Sequence, residues 1–200
     1  MKKLTLSLTL LLPILLVGLT TSSKSPAVQQ DDPHVRVADA EYIGATRCRT
    51  CHRTEKSGGQ FGIWEESAHA KAFATLASEK ALAIGKEKGI DNPQEAPECL
   101  QCHVAGYDAP AEQLGAKYDK TEGVTCESCH GPGGDYYKKS TMEGITKGEI
   151  DPATVGLIKP DEAVCRTCHN ENSPTFDGFD FEARSAEIAH PIPEETKAAL

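Results

Sequence analysis

Apolar positions are spread unevenly along the chain. Residues 4–17 form an apolar run behind Lys2 and Lys3, broken by Thr5, Ser7, Thr9 and Pro13, with small residues gathering around 20–27. That order predicts a secretory signal peptide and leader over 1–27. A retained membrane anchor is the alternative, although the run is short for a span. Residues 28–41 are polar, include Pro33, and predict a flexible lead-in to one domain over 42–200. Within that domain, residues 61–76 set His69, Phe73 and Leu76 on one stripe of an alanine-rich helix. The helical pattern runs on towards residue 88, stops at Gly89, and turns at Asp91-Asn92-Pro93. A loop-rich stretch with Pro110 and Gly115 follows, then a weak helix or loop over 142–150. Residues 181–189 predict a short helix that delivers His190 just before Pro191, and 194–200 read as a loose tail. No region has the alternation of a strand-rich fold, so the expected class is mainly α with little or no β.

One pentapeptide pattern, C-x-x-C-H, interrupts this periodicity four times. It occurs as Cys48-Arg49-Thr50-Cys51-His52, Cys99-Leu100-Gln101-Cys102-His103, Cys126-Glu127-Ser128-Cys129-His130 and Cys165-Arg166-Thr167-Cys168-His169. All eight cysteines are used. Two thiols one helical turn apart can add to the two vinyl groups of a porphyrin, and the adjacent imidazole then lies under the iron. Zinc sites or redox dithiols also use C-x-x-C pairs, but neither requires a histidine directly after every pair. The expectation is four covalently bound haem c groups, with His52, His103, His130 and His169 as proximal ligands.

Composition then changes the picture of the core. Aromatic residues make up 6% of the 200 residues, a thin supply for burial, so the apolar faces of the porphyrins are expected to replace much of a side-chain core. Roughly 43 residues per haem are too few for separate shells, which predicts a small helical, loop-rich multihaem fold wrapped around four closely packed haems. The formal net charge of −9 argues against a nucleic-acid role and favours redox protein partners, a donor and an acceptor, that present a basic contact patch.

Seven histidines cannot close eight axial positions. After the proximal set, His34, His69 and His190 remain. His69 has small neighbours that let backbone approach a porphyrin, and His190 sits at a helix end; both are expected as distal ligands. At least one iron therefore lacks a second histidine within the chain, leaving it five-coordinate, ligated by Met142, Tyr136 or Tyr137, or completed by another subunit.

With these residues placed, the chain resembles the tetrahaem cytochrome c554 family of multihaem c-type cytochromes, whose nitrifier member accepts electrons from hydroxylamine oxidoreductase in the periplasm. The likeness rests on Trp64-x-x-Ser67-Ala68-His69-Ala70-Lys71-Ala72, Cys99-x-x-Cys102-His103-Val104-x-Gly106-Tyr107, Gly123-Val124-x-Cys126-Glu127-Ser128-Cys129-His130-Gly131-Pro132-Gly133 and the late His190. It covers roughly residues 42–191. The resemblance implies a mainly helical haem-packed fold, distal roles for His69 and His190, and an open iron above His103. The family's further distal histidine after the third motif is replaced here by Asp135-Tyr136-Tyr137. His34 is the candidate to take that post at the first haem; otherwise this haem is also open or differently ligated.

The function expected is that of an extracytoplasmic electron carrier, periplasmic or extracellular, passing electrons between redox proteins through the haem array. A reductase acting on nitric oxide or a related nitrogen species at the open haem of His103 is one alternative. A self-associating filament subunit is another, and membrane attachment is expected only if the N-terminal segment is retained.

Overall fold

The structure is a computed structural model, and it describes residues 39–193. The leader, most of the lead-in, His34 and the tail over 194–200 lie outside the described residues. Nine α-helices follow in order among them: α1 Ala45–His52, α2 Gln60–Glu66, α3 Ala72–Thr75, α4 Glu79–Lys88, α5 Pro97–His103, α6 Cys126–His130, α7 Lys139–Thr146, α8 Glu162–Arg166 and α9 Phe181–Ile188. Among these residues no strand forms, and a parallel bridge between Tyr42 and Leu114 is the β pairing present. The fold is mainly α, as the periodicity predicts.

Local chemistry sets the boundaries. Ser78 caps α4 by accepting from the Ala81 N–H at 3.2 Å, and Gly89 ends it in the left-handed region at φ 73°. Asp161 and Asp180 cap α8 and α9, accepting from Val164 N–H and Ala183 N–H at 3.1 Å each. Pro97 opens α5, where its missing N–H costs nothing.

The long helix expected over 61–76 is broken. The Ser67 hydroxyl donates to the Trp64 carbonyl oxygen at 2.7 Å, and Ser67 itself is extended. The His69 carbonyl oxygen accepts from the Val124 N–H at 3.0 Å and the Ala72 N–H at 3.1 Å. A backbone group committed to a loop more than fifty residues away cannot continue a helical ladder, so residues 67–71 form turns and His69 sits between α2 and α3. The short helix at 181–188 forms as expected, with His190 beyond its end.

Side-chain burial is sparse. One apolar cluster joins Leu76, Leu100 and Val104, flanked by Phe73, Tyr107 and Tyr118. Tyr42, Ile43, Ala45, Phe61, Tyr136 and Ile145 are buried elsewhere. Among the described residues no helix is long and apolar enough to cross a membrane.

Candidate haem-binding sites

Each C-x-x-C-H segment lies on or at the end of a short helix: the first three end α1, α5 and α6 at their histidines, and the fourth starts within α8. The α1 N-terminus lacks a capping side chain of its own. Carboxylates from elsewhere replace it: Glu127, between the two cysteines of the third motif, accepts from the N–H groups of Ile43 (2.8 Å), Gly44 (2.9 Å) and Gly133 (2.7 Å). Glu122 accepts from Ala45 N–H at 2.7 Å. The first motif is thus bolted to the third through a buried carboxylate, a link that no sequence pattern announced. Burial raises the Glu127 and Glu122 carboxyls above the ordinary carboxylate value, and their backbone donors oppose that rise.

Three of the four motif histidines have their Nδ1 engaged. His103 Nδ1 donates to the Ala72 carbonyl oxygen at 2.7 Å and His130 Nδ1 to the Ile158 carbonyl oxygen at 3.2 Å. His52 Nδ1 lies 3.4 Å from Gln60 Oε1. A carbonyl only accepts, so the Nδ1 facing it carries the proton and Nε2 keeps its lone pair, as a metal-ligating imidazole requires. His169 is held differently: Phe179 stacks on its ring with centroids 4.7 Å apart and planes at 19°, and the Arg166 guanidinium lies over Phe179 at 5.5 Å.

The two histidines expected as distal ligands each meet a motif histidine. His69 stands opposite His169 with ring centroids 6.1 Å apart, and His190 opposite His130 at 5.9 Å. A metal–imidazole bond of about 2 Å on each side of one iron puts two such centroids about 6 Å apart. Both pairs have the separation that a bis-histidine iron needs. Burial lowers the pKa of His69, His130, His169 and His190, and neighbouring histidines reinforce the shift for His69, His130 and His190, keeping the rings in the neutral form that ligates. Among the described residues, His52 and His103 have no imidazole paired with them in this way.

The cysteines also meet across motifs, and all eight are free thiols. Cys48 and Cys126 share a side-chain hydrogen bond, which raises the first thiol and lowers the second. Cys102 and Cys168 share another; burial first, then Cys168, pushes Cys102 up to about 11. Cys129 is pushed up to about 11, by burial first and then by Cys165, Cys126 and Cys168. These neighbours run first motif, third, fourth, second, an order different from that in the chain. No three His, Cys, Asp or Glu side chains among the described residues gather as a metal-holding group, so the thiols are not assembled into the tetrahedral sets of a zinc site. Paired thiols, neutral imidazoles with free Nε2 and opposed rings together fit haem c.

The remaining candidates are placed as follows. The Tyr136 hydroxyl donates to the Gly131 carbonyl oxygen at 2.6 Å and is buried. Tyr137 is exposed beneath the Arg47 guanidinium, 5.4 Å from its ring centroid. Met142 is half-buried on α7. His34 lies outside the described residues.

Comparison with known proteins gives a consistent likeness. The family model described as "Cytochrome c554 and c-prime" matches residues 47–131, which hold the first three motifs. A curated relative, "Cytochrome c-554" of Nitrosomonas europaea, is 29% identical over 150 residues; the match covers 68% of this chain and 62% of that protein, so the chain spans less than two thirds of its length. No solved structure gives a significant match.

Proposed function

We propose that the chain, which is similar to the cytochrome c554 family over residues 47–131 and to a curated member of it at 29% identity, is an exported tetrahaem electron carrier working between redox protein partners. Haem c, when bound through the paired cysteines, supplies reversible one-electron chemistry. The chain's own residues do the rest. His52, His103, His130 and His169 act as proximal ligands; His69 completes the fourth site with His169, and His190 completes the third with His130. The two opposed imidazole pairs, at 6.1 and 5.9 Å, carry this reading, because a carrier needs irons closed to substrate and spaced for transfer. The cysteine neighbours support a conducting order of first, third, fourth, second. His34 is assigned to the first site, and the apolar run over 4–17 supports export to the periplasm or beyond.

The test is a haem count and a spin count on the exported protein. Pyridine haemochrome assay and intact mass are expected to give four haems per chain. Low-temperature electron paramagnetic resonance is expected to show low-spin centres together with one high-spin centre. Fewer attached haems, or only high-spin iron, overturns the assignment.

One observation favours a second reading. His103 has its Nδ1 fixed by Ala72 and no opposed imidazole among the described residues, and its helix lies in the apolar cluster of Leu76, Leu100 and Val104. A haem iron held there by His103 alone, beside apolar side chains, would suit a small neutral nitrogen species such as nitric oxide. Consumption of nitric oxide by the reduced protein over many turnovers would favour this enzymatic role, and binding without turnover leaves the carrier role.

A further inference from the structure

The two ends of the proposed array differ in charge. The first motif stands in residues 45–57, which carry Arg47, Arg49, Arg53 and Lys56 against one acid, Glu55. All three arginines are exposed. Arg47 lies over Tyr137 at 5.4 Å and Arg49 over Phe61 at 5.7 Å, ring contacts on the two residues that flank Cys48 in the chain. A cleft of about 250 Å³ is lined by Arg47 together with Lys117, Lys138 and Tyr137, with Glu41 as its carboxylate. The second motif is the reverse. Residues 89–116 contain Asp91, Glu95, Glu98, Asp108 and Glu112, all exposed, and no Lys or Arg; Lys88, at the end of α4, is the cation that acts on Cys99, against Glu98 beside it.

Resting on the tetrahaem reading and its first, third, fourth, second order, we infer that the first-motif end is a docking surface for an acidic redox protein. The arginines there and the lysines across the cleft meet acidic side chains around the partner's own redox group. One electron crosses per encounter between that group and the first site. The acidic excess around the second motif disfavours the same partner, so an acidic protein meets the array preferentially at the first-motif end. This assignment stands against net charge: a protein of formal charge −9 taken as a uniform body would repel an acidic partner everywhere.

Charged one-electron oxidants read the polarity without knowledge of the partner. The fully reduced holoprotein is mixed with ferricyanide, each ion taking up one electron to leave as ferrocyanide, and in parallel with hexaammineruthenium(III). Ferricyanide oxidation is expected to slow by roughly tenfold as ionic strength rises from about 10 to about 300 mM, because salt screens an attraction. Combined Arg47→Glu, Arg49→Glu and Arg53→Glu substitution is expected to abolish or reverse that dependence while leaving the cation's rate within about twofold. Lys117→Glu with Lys138→Glu, away from the motif itself, is expected to act in the same direction. A ferricyanide rate that rises with salt in the native protein overturns the inference, and is the result expected if the arginines merely neutralise haem propionates. Equal effects of the variants on both oxidants also overturn it. Peptide mass spectrometry showing no haem on Cys48 and Cys51 would instead remove the tetrahaem reading beneath it.

Discussion

At the scale of single residues, the structure separates histidines that are interchangeable in sequence. His69 and His190 oppose His169 and His130 across distances suited to one iron, so each should control the spin state of one haem. His69→Ala and His190→Ala are each expected to convert one low-spin centre to high-spin in electron paramagnetic resonance, with the haem count unchanged and the double variant additive. The candidate ligands were named from C-x-x-C-H and from the shortage of histidines. Their pairing was not, because His69 and His169 are brought together only by the fold. Glu127 was equally hidden: a glutamate at a variable position of the motif gives no sign that three backbone N–H groups converge on it. Removing it as Glu127→Ala leaves those donors buried and should cost on the order of 3 kcal/mol in denaturant unfolding. Its acid-side behaviour has a definite sign. Burial raises the carboxyl, so the folded protein holds that proton more tightly than the unfolded chain does, and its contribution to stability falls as pH rises from the ordinary value of 4.5 through the raised one. Glu127→Gln should therefore show less loss of stability than the native protein between that value and neutrality, measured as the difference between their unfolding free energies across that range.

At the scale of elements, the motif helices needed little beyond local spacing, and the stop of α4 at Gly89 and the helix ahead of His190 were readable; the separate start of α4 after Ser78 was not, because the helical pattern runs on through it. Nor was the break over residues 67–71. Alanine-rich composition favours a helix through that stretch, but the loop at Gly123-Val124 claims its backbone. Gly123 adopts φ 76°, and a Cβ there would lie 2.8 Å from the His69 carbonyl oxygen and 3.2 Å from that of Ala70. Gly123→Ala would push on the turn that presents His69, in a conformation that L residues rarely adopt. The expected result is partial conversion of the same centre that His69→Ala alters, seen as a shared high-spin signal. A variant that loses stability but keeps every low-spin signal would show that this turn does not depend on Gly123.

At the scale of the whole molecule, the buried apolar set is a small cluster around Leu76, Leu100 and Val104 with scattered satellites, which is little core for a domain of this length. The low aromatic content already pointed that way, since apolar prosthetic groups must then supply the missing burial. The chain made without haem attachment is therefore expected to show no cooperative thermal transition by circular dichroism, where the holoprotein shows one. The proposed order of the sites, invisible in the linear motif sequence, has its own consequence. Charge added at one site raises the cost of adding charge at its neighbours, an effect that weakens with distance. With thiol hydrogen bonds linking the first motif to the third and the fourth to the second, and Cys129 of the third acted on by Cys165 and Cys168 of the fourth, reduction at the fourth site should lower the potential of the second more than reduction at the first site does. A stepwise redox titration that resolves individual haems by nuclear magnetic resonance reads these couplings directly. Strong coupling between the first and second sites would contradict the order, because those motifs stand at opposite ends of it.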